Sequence, residues 1–246
     1  MWIAWDKFLG VIIDEKLNWS KHIQHVTNKV RCSIAQLYEM RKLLPTKMKK
    51  SVYNAIVNSQ LSYAISVWGC TLVADRLEPL FILQKRALRN LFSIRKVSRF
   101  VKGHTKPEFK KYNILTVYNI YNYMTLLDIN KLVRLKQPEY LSSLLRLDTP
   151  TQRNNRLYTP AFKVKKYQNN FCYQGPNLWN LLSSSASYCN KLTLTVTSSS
   201  FKSKLKTFLL KMQSYGQSTG DYNWYVTNKS IPAYLTAIKS DPHFKL

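Results

Sequence analysis

Acidic residues are scarce in this sequence. Its 246 residues include 12 Asp and Glu against 38 Lys and Arg, which gives a formal net charge of +26. Phosphoryl transfer by two metal ions needs several carboxylates that converge on Mg²⁺. The only neighbouring acidic pair, Asp14 and Glu15, stands at the end of a predicted strand. The sequence therefore predicts no catalytic residue, no metal site and no cofactor for this chain.

Cysteine motifs and nucleotide-binding loops are also missing. The four cysteines are widely spaced and form no CxxC pair; they are Cys32, Cys70, Cys172 and Cys189. Neither GxxxxGKS/T, which cradles nucleotide phosphates, nor GxSxG, which presents a nucleophilic serine, occurs. His22 and His25 lie three residues apart on a predicted helix, but a zinc site needs three or four ligands. We therefore favour surface histidines over a metal site, and expect reduced thiols in an intracellular protein.

Long apolar runs are absent too. The most apolar region, residues 114–135, is interrupted by asparagines and by charged residues such as Asp128 and Arg134, whereas a membrane-spanning helix needs about 20 mostly apolar residues. The first residues, MWIAWD, lack the basic start and the continuous apolar stretch of a signal peptide. We therefore expect no transmembrane segment and an intracellular protein, with nucleus and cytoplasm both left open.

The excess of positive charge is the main functional signal. Hydrophobic residues make up 45% of the chain, which is enough to build a core, so the basic residues belong to a folded protein. A folded surface with this charge attracts polyanions. DNA or RNA is the commonest polyanion partner, because each neutralised phosphate releases a counterion. An anionic membrane surface is the main rival.

Residues 7–44 predict a strand followed by an amphipathic helix. Lys7–Asp14 (KFLGVIID) is a short apolar run typical of a buried strand, and Asn18 or Ser20 could cap the helix that follows. The apolar residues of this helix recur at steps of three and four and form one stripe: Ile23, Val26, Val30, Ile34, Leu37, Met40 and Leu44. The opposite face carries candidate phosphate contacts, which are Lys21, His25, Arg31 and Lys42.

Two further helices complete a predicted bundle. Pro45 and Thr46 separate the first helix from a second one. The first turns of the second helix carry further candidate phosphate contacts, which are Lys47, Lys49 and Lys50. Gly69 ends that helix, and a third begins at Asp75. Three helices with short connections and matching apolar faces predict a thumb-like three-helix bundle over residues 15–103.

Residues 104–213 predict a second helical region that contains one β-hairpin. Its helices are a long one from Asn113 to about Lys136, a short one after Pro138, and a last one over residues 198–212. Between them, the alternating sequence RLYTPAFKVKKY and the following NNFCYQGP predict a hairpin that closes near residues 166–170. Residues 214–246 are expected to form a flexible tail. The predicted fold class is mainly α: a three-helix bundle followed by a helical region with one hairpin.

Aromatic residues interleave with the basic faces. Tyr158, Tyr167, Phe171, Tyr173 and Trp179 could stack on unpaired bases, although core packing is the commoner role of such residues. Any single lysine is more often only solvated than bound to phosphate. A solvated surface normally mixes both signs of charge, however. Taken as a set, the basic residues therefore favour a nucleic-acid-binding surface.

Six segments, in this order along the chain, resemble the C-terminal part of the reverse transcriptases of non-LTR retrotransposons of the LINE and jockey type. They are FLGVIIDEKLNWSKHI, VYNAIVNSQLSYAISVWG, LEPLFILQKRALRNLF, GHTKP, NNFCYQGPNLWNLL and SFKSKLKTFLL. Together they cover about residues 7–212. FLGV alone is a weak signal, whereas the ordered series is much more specific.

The resemblance implies roles for several residues. Phe8, Leu9 and Gly10 match the primer grip, which in that family holds the primer terminus against the active site. The helices of residues 15–103 resemble the thumb, which packs along the template–primer duplex, so Lys21, His25 and Arg31 would contact phosphates. Residues 104–213 resemble the post-thumb region. The implied partners are RNA, an RNA/DNA hybrid or duplex DNA, with the oligomeric state left open.

The sequence departs from the family in lacking the fingers, the palm with its paired aspartates, and an endonuclease domain. Mg²⁺ would belong to the missing palm, so we expect a fragment of an RNA-directed DNA polymerase that does not extend a primer by itself. The resemblance starts close to Met1, which favours a truncated element or an incomplete gene. A domesticated nucleic-acid-binding protein and a peripheral binder of anionic membranes are the alternatives.

Overall fold

The computed structural model describes residues 5–70, 74–94, 105–145, 156–161, 167–184 and 198–215. In this part of the chain the protein is mainly helical, with one two-stranded antiparallel hairpin. This confirms the predicted mainly α class, while the thumb-like arrangement stays a prediction. The chain forms two compact units, Met1–Gly69 with Val73–Ile120, and Cys70–Leu72 with Tyr121–Leu246. The boundary predicted between residues 103 and 104 lies outside the described residues and stays a prediction.

The first unit begins with the hairpin and continues with helices. Strands β1 (Trp5–Phe8) and β2 (Val11–Asp14) pair antiparallel, with Phe8 opposite Val11. The helices are α1 (Ser20–Met40), α2 (Thr46–Tyr53), α3 (Ser59–Ser62), α4 (Ile65–Trp68), α5 (Ala74–Phe92) and α6 (Lys106–Lys111). One π-helical turn, Asn54–Asn58, joins α2 to α3.

The run Lys7–Asp14 is a hairpin and not the single buried strand that its sequence predicts. The chain reverses at Leu9 and Gly10, which both have positive φ, 46° and 82°. Positive φ at both central residues is the geometry of the two-residue turn whose twist matches antiparallel strands. Phe8 and Leu9 are 65% and 75% exposed, because they stand at the turn rather than inside a strand covered on both faces.

Helix α1 has the apolar stripe that its sequence predicts. Ile23, Val26, Val30, Ile34 and Leu37 are buried, as the threefold and fourfold spacing requires. At the start of the helix, the Asn18 side chain, one of the two predicted caps, accepts a hydrogen bond from the backbone N–H of Ser20, the first helical residue, at 3.0 Å. The capping position is Trp19, in the left-handed conformation.

The second predicted helix is interrupted twice before it ends, as predicted, at Gly69. The first interruption is the π-helical turn, and the second is the break at Tyr63 and Ala64, where Ala64 has φ 50°. The buried side chains recur every fourth residue, at Tyr53, Val57, Leu61 and Ile65. A π turn is wider than an α turn, so residues four apart stay close to one face across it. Met48, predicted to point inward, is exposed.

A buried glutamine on α5 joins distant parts of the first unit. The Gln84 amide nitrogen donates hydrogen bonds to the Tyr53 hydroxyl and to the Leu115 carbonyl oxygen, both at 2.9 Å. Its side-chain oxygen accepts a hydrogen bond from the Val117 backbone N–H at 2.9 Å. Burial raises the pKa of Tyr53 well above its usual range, so the phenol stays protonated. A fully bonded buried amide specifies one arrangement of these segments.

The second unit is built from helices around its own core. Helix α7 (Val117–Leu135) starts in the first unit and continues into the second, where α8 (Glu139–Leu144), α9 (Phe171–Ser184) and α10 (Ser198–Tyr215) follow. The core contains Trp179, whose ring centre lies 6.3 Å from that of Phe201. No helix in the described ranges is long and apolar enough to cross a membrane.

The hairpin predicted within residues 156–176 is wrong in position. Its second strand is the start of helix α9, and residues 162–166 of its first strand lie outside the described residues. Leu157 bonds with a side chain of α9: the Asn180 side-chain oxygen accepts from its N–H at 2.8 Å, and the Asn180 amide nitrogen donates to its carbonyl oxygen at 2.7 Å. Asn170 starts the helix by accepting from the Cys172 N–H. Most of the predicted tail, residues 216–246, lies outside the described residues, while 214 and 215 end α10.

Candidate nucleic-acid interface

The tip of the hairpin is held by a tyrosine from the break between α3 and α4. The Tyr63 hydroxyl donates a hydrogen bond to the Leu9 carbonyl oxygen at 2.5 Å, and the Tyr63 ring comes within 3.6 Å of where a Cβ on Gly10 would stand. At the helix break, the Tyr63 carbonyl oxygen accepts a hydrogen bond from the Trp68 indole nitrogen at 2.9 Å. This bond takes the place of one within the helix. Phe8, Leu9 and Gly10 therefore form an exposed apolar tip on a fixed support.

Two side chains attach the hairpin to α1. The His22 Nδ1 atom accepts a hydrogen bond from the Ile12 backbone N–H at 3.1 Å. Ile12 occupies a position of the two-residue hairpin whose N–H points away from the partner strand. The Asp14 carboxylate accepts from the backbone N–H groups of Asn18 and Trp19, both at 3.0 Å. The hairpin and the first turn of α1 are therefore one connected structure.

Burial keeps His22 uncharged at neutral pH. The side chain is 2% exposed and meets Trp68 edge to face, with ring centres 5.1 Å apart. Burial, followed by the charges of His25 and Lys29, lowers the pKa of His22 from 6.5 to about 4. Nδ1 can accept the Ile12 hydrogen bond only while it carries no proton. His22 thus serves as a structural acceptor for the hairpin.

Strand β1 and the N-terminal half of α1 share one basic face. Lys21 is exposed, and its ammonium group stands over the Trp5 indole, 5.1 Å from the ring centre. His25 lies one helical turn further and is half-buried. Its pKa is lowered by burial, then by the charges of Lys29 and Lys7, so Lys7 of β1 also belongs to this face. The Nε2 atom of His25 is buried without a hydrogen-bond partner, and the lowered pKa reduces the charge of the ring, so His25 is a weaker candidate for a phosphate contact than Lys21.

The remaining predicted phosphate contacts continue along α1 and onto α2. Arg31 is exposed and donates a hydrogen bond to the Asn28 side chain at 3.3 Å; ten residues beyond Lys21, it lies about 15 Å further along the helix. Lys42 is exposed just after α1. On α2, Lys47 is exposed, whereas Lys49 and Lys50 are half-buried.

The charge along this path is almost entirely of one sign. Between residues 16 and 73 the only acidic residue is Glu39. The cations of the same stretch are Lys16, Lys21, Lys29, Arg31, Arg41, Lys42, Lys47, Lys49 and Lys50. The 21 residues of α1 extend about 30 Å, which matches about nine phosphates of one strand at 3.4 Å spacing. The arrangement is an extended cationic row rather than a pocket for a small anion.

The aromatic residues proposed from the sequence for base stacking lie in different environments. Trp179 is 1% exposed and belongs to the core of the second unit, so it presents no ring to a ligand. Phe171 and Tyr173 are half-buried, while Tyr158 and Tyr167 are exposed. All five belong to the second unit, whereas the proposed phosphate contacts belong to the first.

Comparison with known proteins finds partial matches to one class of polymerase. A stretch of 100 residues, 39% of this chain, is 29% identical to a probable RNA-directed DNA polymerase from transposon X-element of Drosophila melanogaster. Stretches of 88 residues, 35% of the chain, are 31% and 33% identical to RNA-directed DNA polymerases from mobile element jockey of Drosophila melanogaster and Drosophila funebris. These matches support a relation to non-LTR retrotransposon reverse transcriptases.

The matched stretches cover only a small share of each relative's length. Each covers 10% of the relative's length, so the chain corresponds to a small part of those polymerases. No protein-family model matches the chain, and no solved structure matches it.

The described residues of this chain offer no donor set that fits Mg²⁺. Within the described ranges, no group of three or more His, Cys, Asp or Glu side chains could hold a metal ion. His22 and His25 have ring centres 6.4 Å apart, but the Nδ1 atom of His22 is already engaged by the hairpin.

Sequence reasoning missed three residues of this candidate interface: Trp5, Lys7 and Tyr63. The period-two alternation of β1 puts Trp5 and Lys7 on the same face of the strand, which would have revealed the first two if the hairpin had been recognised. Tyr63 is joined to Leu9 across 54 residues of sequence. No local signal could have predicted that contact.

Proposed function

We propose that this chain is part of a non-LTR retrotransposon reverse transcriptase and binds the backbone of RNA or of an RNA/DNA hybrid along α1 and α2, in the manner of a thumb. The observation that carries the proposal is the row of cations that follows α1 with a single acidic residue beside it. Partial similarity to RNA-directed DNA polymerases favours nucleic acid over other polyanions. Contacts of this kind position a strand but read little sequence.

The hairpin gives the same surface a fixed end. Its tip presents Phe8, Leu9 and Gly10, and it is held by Tyr63 and His22 from two helices. A tip supported in this way can stay in place while a strand end lies against it, which fits a primer-grip role. The proposal assigns no chemical step to the chain, because paired aspartates are missing from its sequence.

The test is a binding series with three ligands of equal length: an RNA/DNA hybrid, duplex DNA and single-stranded RNA. Affinity is measured by fluorescence anisotropy at several salt concentrations. We expect the hybrid to bind most tightly and its affinity to fall steeply with salt, since each phosphate contact contributes nearly one unit to the slope of log K against log salt. Equal binding of all three ligands would contradict the proposal, because it would mean that the chain binds any polyanion by charge alone.

A matched pair of charge-reversal variants locates the surface. Lys21→Glu with Arg31→Glu changes the cationic row, and Lys202→Glu with Lys204→Glu makes the same change of charge at exposed positions of α10. We expect the first variant to bind the hybrid more weakly and to lower the salt slope by about two, and the second to change both much less. Equal losses in the two variants would contradict a located interface. Loss of binding to anionic vesicles instead of nucleic acid would favour the membrane alternative.

A further inference from the structure

We propose that Trp5 is a stacking platform for an unpaired base, so that the hairpin end of the basic face takes single-stranded nucleic acid. The inference rests on the proposed function, because it adds a base contact to the phosphate row on α1. Trp5 lies outside the residues that resemble the primer grip. Stacking on it would also favour single strands with unpaired bases, which the cations of α1 alone would not distinguish from a duplex.

The first observation is the exposure and placement of the indole. Trp5 is 44% exposed although it is among the largest apolar side chains. It stands at the start of β1, opposite Asp14, and its side chain lies on the strand face that also carries Lys7. The Lys21 ammonium group stands over the ring. An exposed indole beside two lysines is therefore built into the basic face and not isolated on the surface.

The second observation is the charge around the ring. Lys7, Lys21 and Lys29 bring positive charge to this face, as the lowered pKa of His25 records for Lys7 and Lys29. The nearest carboxylate across the ladder, Asp14, is engaged by two backbone N–H groups of the following loop. The site is thus cationic with one flat apolar surface.

That combination selects one class of ligand. Phosphates would pair with the lysines, and a base would stack on the indole. Proteins hold unpaired bases next to basic grooves by stacking them on aromatic side chains. Bases within a duplex have their faces covered by their neighbours, so only an unpaired base or a strand end can use the ring. Anionic lipid offers the charge but no face for stacking. An indole can also enter a lipid interface, so vesicle binding is one arm of the test.

The third observation is that the platform is held in place before any ligand binds. The hairpin is attached to α1 through His22 and Asp14 and to the α3–α4 break through Tyr63. A fixed aromatic surface costs little ordering on binding. The strand that carries the indole is therefore in place before a base binds, which lowers the ordering cost of stacking.

The experiment compares two single strands with the same number of phosphates. One is a short pyrimidine RNA, and the other is an abasic sugar-phosphate strand of equal length. The full chain should bind the base-containing strand roughly 5- to 150-fold more tightly, the range expected from stacking of one base. Trp5→Leu should remove this preference and weaken binding of the abasic strand much less, through the lost contact with Lys21 alone. Trp5→Phe should retain part of the preference.

The control removes an exposed aromatic elsewhere. Tyr140→Ala changes a side chain that is 75% exposed on α8, and it should keep the full preference. Circular dichroism establishes that each variant retains its helices, and the Leu and Phe variants both preserve an apolar side chain against the strand.

The outcomes separate this inference from the proposed function. Failure of the chain to bind either strand or the hybrid would overturn the proposed function. Equal binding of the base-containing and abasic strands by the unaltered chain would overturn the role of Trp5 and leave phosphate binding intact. A Trp5→Leu variant that loses binding to phosphatidylserine vesicles but keeps its base preference would also overturn the inference, because the ring would then be a membrane contact.

Discussion

Acidification should weaken the attachment of the hairpin to α1, because His22 can accept the Ile12 hydrogen bond only when its imidazole is neutral. Burial, with the charges of His25 and Lys29, lowers the pKa of His22 from its usual 6.5 to about 4. A group whose pKa is lowered by folding stabilises the fold fully above its unfolded pKa and loses this contribution as the pH falls through its folded pKa. At about 1.4 kcal/mol per pKa unit, the contribution is at most roughly 3.5 kcal/mol.

The assay is urea unfolding at a series of pH values between neutrality and pH 4.5, compared with the variant His22→Gln. Glutamine does not titrate, and its amide oxygen can still accept from the Ile12 N–H. We expect the unaltered chain to lose up to about 2.5 kcal/mol between these limits through His22 alone, and the variant to lack this part of the loss. Carboxylates titrate equally in both proteins, so the difference between the two curves reports His22.

A second variant, His25→Gln, controls for a histidine on the same helix that makes no bond to the hairpin. Its curve should keep most of the pH dependence of the unaltered chain, because His25 is less deeply buried. The reasoning fails if His22→Gln and the unaltered chain lose stability in parallel as the pH is lowered. Parallel curves would mean that a charged His22 is tolerated and that the hairpin does not depend on it.

Two further substitutions test close contacts by urea unfolding. Gly175→Ala should destabilise the second unit by about 1–3 kcal/mol, because its Cβ would stand 2.6 Å from the Ile129 Cδ1 atom; Ile129→Val, which removes that atom, should restore part of the loss, and no restoration would point to a different cause. Tyr63→Phe should cost up to about 1 kcal/mol through the lost bond to the Leu9 carbonyl. An unchanged unfolding curve for that variant would show that Tyr63 does not support the tip.

Sequence periodicity predicted α1 well because one pattern repeats over its whole length. Ile23, Val30 and Leu37 recur seven residues apart and are all buried, and the predicted cations Lys21 and Arg31 are exposed on the other side. An apolar stripe repeated over five helical turns predicts a helix even where single residues do not fit the pattern.

The hairpin at residues 5–14 was missed because its turn carries a weak signal. A two-residue turn favours Asn-Gly or Asp-Gly, and here the first turn residue is Leu9, whose positive φ is strained for a side chain of that kind. The bond from Tyr63 supports that conformation. Since the support comes from a distant helix, a local sequence window contains only an apolar run.

The opposite error occurred at α9, where two alternating aromatics predicted a strand. The helical pattern was present in the same residues: Gln174, Leu178, Trp179 and Leu182 are buried at steps of four, one and three. Asn170 also stands at the preferred capping position. The helical signal extends over more residues than the alternation at Phe171, so the longer pattern should have decided the prediction.

The buried glutamine of α5 sets a limit on how the first unit can be divided or synthesised. Gln84 takes its partners from Tyr53, Leu115 and Val117, so the core around it is complete only after residue 117 has been made. A fragment ending at residue 103 would carry the whole cationic row but would leave the Gln84 oxygen without the Val117 donor, at about 1–3 kcal/mol for each buried group left unbonded. The smallest piece expected to bind nucleic acid as a folded unit therefore extends into α7, well past the last cation that it uses.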